Sequence, residues 1–238
     1  VPQKSQSKHK DSQKIIFILL IAVKLCGKTI FNHVMKGKSD DLHGNAPDKS
    51  PVALLIIDMI NDLEFPGGDL LEETARAAAD RIAALKGKAK TLNIPVVYVN
   101  DNFGRWQSNF NDVLEHVLTD DVRGQHLAEI LRPDPDDYFV LKPKNSAFYA
   151  TTLDTLLTYL NAKYLILTGL STDSCVLFTA NDAYMRDLKL SVPSDCVASI
   201  KPTHTTDALA YMKRVLDADT TPSTQIDLAA LSRELSLA

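Results

Sequence analysis

Val52-Ala53-Leu54-Leu55-Ile56-Ile57 is apolar at every position and closes on Asp58. A strand with one wet face alternates apolar and polar residues, so an unbroken run of this length reads as a strand buried on both faces. The pattern recurs at Pro95–Asn100, Tyr138–Lys142 and Tyr164–Thr168, with a shorter version at Leu188–Pro193. Between these runs the apolar spacing turns helical, over about 72–92, 124–131, 151–161, 174–187 and 205–216. The stretch after the second strand, which carries Trp106, reads as a loop. Asp217–Leu235 is expected to hold one last edge strand and a terminal helix. Two-faced strands alternating with helices predict an α/β fold: a doubly wound, mostly parallel six-stranded sheet with helices on both faces, Rossmann-like. Right-handed crossovers then set the carboxyl ends of the strands along one edge, where ligands bind in such sheets.

Three of those strands lead to reactive residues at that edge. The first closes on Asp58 and the third on Lys142. The fourth continues through Gly169-Leu170-Ser171-Thr172-Asp173-Ser174 to Cys175, which opens a helix. A thiol in a first helical turn faces free backbone N–H groups and the positive end of the dipole. That placement predicts a pKa below the free value of about 8.5, and the same N–H groups suit an oxyanion. Asp58 is placed to take the thiol proton and return it to a leaving amine. Lys142 between them would keep Asp58 charged and stabilise thiolate or oxyanion. Each residue also has a plainer reading, as a space-filling cysteine, a helix-capping aspartate or a solvated lysine. Lys144 competes with Lys142, but extended geometry sets it about 7 Å further along, outside the crevice. Acid, amine and thiol together point to hydrolysis of a C–N bond through a thioester. No histidine accompanies these motifs; His116, His126 and His204 read as surface residues.

Composition narrows the partners. The formal net charge of −4 and the absence of a basic stripe point away from nucleic acid and anionic membrane. The expected partner is a small amide-type molecule. Three cysteines, Cys26, Cys175 and Cys196, are too sparse for a disulfide framework and indicate a reducing, cytoplasmic setting. No C-x-x-C or H-x-x-x-H spacing is present, so neither a metal nor another cofactor is expected.

The amino end stands apart. Polar, lysine-rich residues 1–14 precede nine apolar residues, Ile15 to Val23, flanked by Lys14 and Lys24. A bilayer span needs roughly 20. The arrangement has the shape of an export signal in residues 1–26, yet no small-x-small cleavage site follows it. Lys36–Ser50 is polar and holds Gly and Pro, the composition of a linker. We therefore divide the chain into residues 1–49, an extension or linker outside the fold, and a catalytic domain over 50–238.

The motifs resemble those of the isochorismatase-like cysteine hydrolases, the superfamily of nicotinamidases, carbamoylsarcosine amidases and ureidoacrylate amidases. The matching pieces are Leu54–Asp62, Lys142–Phe148, Gly169–Val176 with Thr179–Ala183, and Asp195–Ser199. The resemblance implies the doubly wound fold and a Cys175, Asp58 and Lys142 triad. It also implies a cis peptide between Leu170 and Ser171, an oxyanion hole of the Ser171 and Cys175 amides, and a homodimer or homotetramer. The chain departs from the family pattern at Ile60 and Leu63, where Gln and Phe are usual. Nicotinamidases carry an Asp-x-His metal motif after the second strand; here the place reads Asn100-Asp101-Asn102-Phe103, which speaks against that metal site. Asn61, Trp106 and Phe148 are the candidate pocket wall.

Other readings stay open on sequence alone. An aspartyl phosphatase would need Asp rather than Ile60, and a dinucleotide fold a glycine turn earlier than Gly67-Gly68. Within the resembled fold, a vinyl-ether hydrolase of the isochorismatase type and an inactive small-molecule binder remain as alternatives.

Overall fold

A computed structural model describes residues 49–104 and 109–237. The expectations for residues 1–48 (extension, linker and export signal) and the pocket role of Trp106 lie outside the described residues. The described elements run β1 (Val52–Ile57), α1 (Gly68–Thr91), β2 (Val96–Asp101), α2 (Phe110–Thr119), α3 (Gln125–Ile130), β3 (Tyr138–Lys142), α4 (Leu153–Leu160) and β4 (Tyr164–Leu170). After a π-helical turn (Thr172–Val176) come α5 (Leu177–Tyr184), β5 (Lys189–Ser191), β6 (Val197–Ala198), α6 (Pro202–Val215) and α7 (Leu228–Leu237).

Every strand pair is parallel, in the order β3-β2-β1-β4-β5, and β6 pairs with β4 beyond the end of β5. The chain winds outward from β1 through β2 to β3, then returns to the other side of β1 to lay down β4. The direction of winding reverses between β1 and β4, which is where a crevice opens in such sheets.

β1 shows why the sheet needs cover on both faces. All six of its residues are fully buried, and they divide by parity. Val52, Leu54 and Ile56 pack with Leu71, Ala75 and Ile82 of α1, Val113 of α2 and Leu127 of α3. Ala53, Leu55 and Ile57 pack with Leu153 and Leu157 of α4, Ala180 of α5 and Met212 of α6. Successive strand side chains point to opposite faces, so one apolar run supplies two cores.

Two elements differ from the sequence reading. Residues 110–119 form a helix rather than part of a loop: Phe110, Val113 and Val117 are its buried stripe, and the Asn109 side chain caps it by accepting from the Asp112 N–H at 3.0 Å. The sixth strand is Val197–Ala198, not a segment within 217–235. There the chain makes an isolated bridge, Asp219 to Ser191, and a short 3₁₀ turn at Ser223–Gln225 before the expected terminal helix, α7. A two-residue strand is too short to show any period. No helix among the described residues is long and apolar enough to cross a membrane.

Candidate active site

The ends of β1, β2, β3 and β4 bring four reactive side chains together. Register sets the frame. Ile57 lies opposite Gly169, so Asp58 follows directly beside the end of β4, and Asp101 of β2 lies opposite Lys142 of β3. Gly169, at φ +108°, allows the close approach of β1: a Cβ there would stand 2.0 Å from the Ile57 carbonyl oxygen. Asp58 turns out of β1 with φ 52°, while its N–H donates to the Val99 carbonyl at 2.8 Å.

The Lys142 ammonium is fully buried. Its Nζ lies 2.8 Å from Asp58 Oδ2, 3.3 Å from Cys175 Sγ and 3.5 Å from Asp101 Oδ2. Asp58 is only 5% exposed; its Oδ1 accepts the Asp101 N–H at 2.7 Å, and the Cys175 thiol hydrogen-bonds to its carboxylate. Asp58, Lys142 and Cys175 thus form one cluster, and Lys144 stands outside it, exposed. The peptide bond between Leu170 and Ser171 is cis.

The charge states follow from burial against partners. Burial pushes the Asp58 carboxyl above its ordinary value, against the opposing pull of the Lys142 charge and the hydrogen bonds from Cys175, Lys142 and Asp101. For Lys142 burial works against the ammonium, but Asp58, Cys175 and Asp101 outweigh it and hold the group above its usual value, hence charged. Cys175 departs from the sequence expectation of a lowered pKa. Burial, and then the Asp58 negative charge, push the thiol up to about 12, with Lys142 opposing. Burial, with a carboxylate in contact, outweighs the start of a helix. The resting site is a protonated thiol donating to a carboxylate, not a preformed thiolate.

Of the candidate pocket residues, Asn61 and Phe148 fall among the described residues. Asn61 is half-buried, and its side-chain oxygen accepts the Leu63 N–H at 2.8 Å, shaping the loop after Asp58. Phe148 is a core side chain: it is buried in the apolar cluster with Leu153 and Leu157, and the Arg186 guanidinium lies 4.4 Å from its ring centre. Its position in a motif gave no sign of which face it serves.

Asp101 was missed in the sequence. Its signal was the one that marked Asp58 and Lys142, an apolar strand closing on a charged residue, but the run was read as ending at Asn100. Two carboxylates therefore face one ammonium. Asn145, from the segment after Lys142, donates to Ser174 Oγ at 2.6 Å and ties the β3 end to the turn that carries Cys175. His204 also gains a partner, Asp173, with Nδ1 3.0 Å from Oδ2. His116 bridges Asp62 and Asp120 at 3.4 and 2.7 Å.

Comparisons with known proteins bear on the family and the fold. The isochorismatase domain family model matches residues 52–223. The chain is 40% identical over 178 residues to the uncharacterized isochorismatase family protein YaaI of Bacillus subtilis, covering 75% of this chain and 97% of that protein. It is 31% identical to enterobactin synthase component B of Escherichia coli over 67% of this chain, spanning 57% of that longer protein. It is 30% identical to maleamate amidohydrolase of Pseudomonas putida over 61% of this chain and 71% of that protein. Among solved structures, N-carbamoylsarcosine amidase from Thermoplasma acidophilum superposes with a TM-score of 0.57 at 28% identity, covering 74% of this chain and 98% of that one. The parallel sheet, its crevice and the matched domain agree: the chain belongs to the isochorismatase family.

Proposed function

We propose that the protein is a cysteine hydrolase that cleaves the C–N bond of a small amide or N-carbamoyl compound. The observation that carries this reading is the contact of one buried ammonium with both a carboxylate, at 2.8 Å, and a thiol, at 3.3 Å. The amidase relatives support the bond type.

The substrate carbonyl enters beside Cys175 at the β1–β4 crevice. As Sγ attacks the carbonyl carbon, its proton passes to Asp58, whose raised pKa suits it to receive one. The intermediate's oxyanion is held by the Ser171 and Cys175 backbone N–H groups. Asp58 then protonates the leaving nitrogen, the C–N bond breaks, and a thioester remains on Cys175. Asp58 next takes a proton from water as its oxygen attacks the thioester; the C–S bond then breaks, Asp58 returns the proton to the Cys175 sulfur, and the acid product leaves. Lys142 stays protonated throughout. It offsets the charge of Asp58 in the resting state and of sulfur during attack, so the site never carries two uncompensated negative charges at contact distance.

The test is a panel of small amides and N-carbamoyl compounds, followed by ammonia release and by intact mass. At least one member should give ammonia and a mass adduct that maps to Cys175. Cys175→Ala should lose both, with turnover reduced at least about 10³-fold. A Cys175→Ala protein that still turns over an amide would refute the thioester route. Hydrolysis of a vinyl ether that survives thiol alkylation would favour the isochorismatase type of chemistry instead.

A further inference from the structure

The four residues before the nucleophile are each held by their side chains from outside the turn. The Ser171 hydroxyl lies 3.2 Å from Ser199 Oγ and donates to Asp173 Oδ1 at 2.5 Å. Thr172 Oγ1 lies 3.4 Å from Thr205 Oγ1 of α6. Asp173 Oδ1 also accepts from Ser199 Oγ at 2.7 Å, its own N–H reaches the same hydroxyl at 3.3 Å, and Oδ2 pairs with His204 of α6. Ser174 Oγ accepts from Asn145. The segments after β3 and β6, together with α6, therefore grip one turn.

Asp173 sits two residues before Cys175, yet its carboxylate is fully engaged with Ser171, Ser199 and His204. Burial works to raise its pKa, but the hydrogen bonds from Ser171 and Ser199, with a smaller pull from His204, together hold it below the usual carboxylate range. Asp58 and Lys142, not Asp173, meet the sulfur. Ser199 is 1% exposed and reaches Asp173 at two points, oxygen and N–H. A buried hydroxyl with this many partners acts on the shape of the turn, and the turn presents the backbone N–H groups at which the oxyanion is placed. Hydrogen-bond donors aimed in advance of the reaction contribute far more than donors that must first be ordered.

We infer that Asp173 and Ser199 are positioning residues that fix the Ser171 side of the oxyanion hole. The inference rests on the thioester reading above. Its test uses two reactions of the same sulfur. Acylation by p-nitrophenyl acetate forms the S–C bond, expels p-nitrophenolate and passes through an oxyanion; the thiol proton goes to Asp58. Alkylation by iodoacetamide displaces iodide at a tetrahedral carbon and forms no oxyanion. For Ser199→Ala, acylation should fall about 10- to 100-fold, less than the loss of a whole oxyanion donor. Alkylation should stay within about threefold, since it needs only the thiol environment. Ser199→Thr, which keeps the hydroxyl, should recover most of the acylation rate. Asp173→Asn keeps the volume and provides the same comparison should Ser199→Ala fail to fold. Acylation close to the wild-type rate in both variants, or a parallel fall of both reactions, overturns the positioning role. A wild-type protein that never acylates at Cys175 would instead sink the thioester reading itself.

Discussion

At the level of single residues, Asp58 acts on Cys175 in two opposed ways. Its charge and its acceptor oxygen keep the thiol protonated, and the same oxygen is the destination of the proton during attack. Asp58→Asn removes the charge and the base, while its amide oxygen can still accept. The thiol pKa should then fall from about 12, because the negative charge no longer adds to burial against the pull of Lys142. Alkylation by iodoacetamide at pH 8 should therefore become faster in the variant. Amide turnover should drop at least about 10³-fold, since no base remains to carry the proton. In the wild-type protein the alkylation rate should keep rising through pH 10, where an ordinary cysteine of pKa about 8.5 has levelled. Slower alkylation in Asp58→Asn would show that the carboxylate promotes the thiolate rather than suppressing it. Most of the site was legible at this scale, because a charged residue that closes a fully apolar strand has nowhere to go but the open edge. The protonated resting thiol was not. It depends on the burial of Cys175 and on its contact with Asp58, and spacing along the chain shows neither.

At the level of elements, the site depends on how closely β1 and β4 approach. Gly169 has a backbone conformation that side chains rarely adopt, and an added Cβ would meet the backbone of Ile57 rather than a movable side chain. Neither strand can yield, since each is paired on both sides. Gly169→Ala should cost about 3–5 kcal/mol, combining backbone strain and overpacking. Urea denaturation would register this as a lower midpoint, and an unchanged midpoint would mean that the sheet yields there. The long elements could be read in the sequence because burial on two faces leaves a continuous apolar signature, and because α1 repeats its buried stripe over many turns. The short ones could not. Val197–Ala198 is a strand only because β5 stops after Ser191 and leaves the last residues of β4 open to a partner. Residues 110–119 carry an amphipathic stripe interrupted by Asn, Asp and Glu, and those polar residues masked the helix.

At the level of the whole molecule, chemistry and mechanical support sit at opposite edges of the sheet. Reactive groups collect where the strands end. Where they begin, α1 returns to meet the segment entering β3, and a second buried cation closes the layers. Lys86 is 7% exposed; its Nζ lies 2.7 Å from Asp137 and 3.0 Å from Asp134, and donates to Tyr98 Oη and the Arg132 carbonyl, each at 3.1 Å. Helix α1, strand β2 and the approach to β3 thus converge on one ammonium. Lys86→Met keeps the apolar stem and removes the charge. The Asp137 side chain, almost wholly buried, then keeps Lys90, at 2.7 Å, and the Asp134 N–H, at 2.8 Å, and two acceptors lose a donor. Breaking a buried pair from one side costs about 3–5 kcal/mol, and the remaining lysine places this case near the lower end. For a domain of this size that corresponds to a fall in Tm of roughly 6–12 °C. The turnover number of the folded variant should match the wild type, because the loss falls at the edge away from Cys175. Thermal denaturation and kinetics at 25 °C separate the two quantities. A variant with unchanged Tm would mean that the acidic cluster is stable without its buried cation, and a reduced turnover at full folding would mean that strain at one edge of the sheet reaches the other.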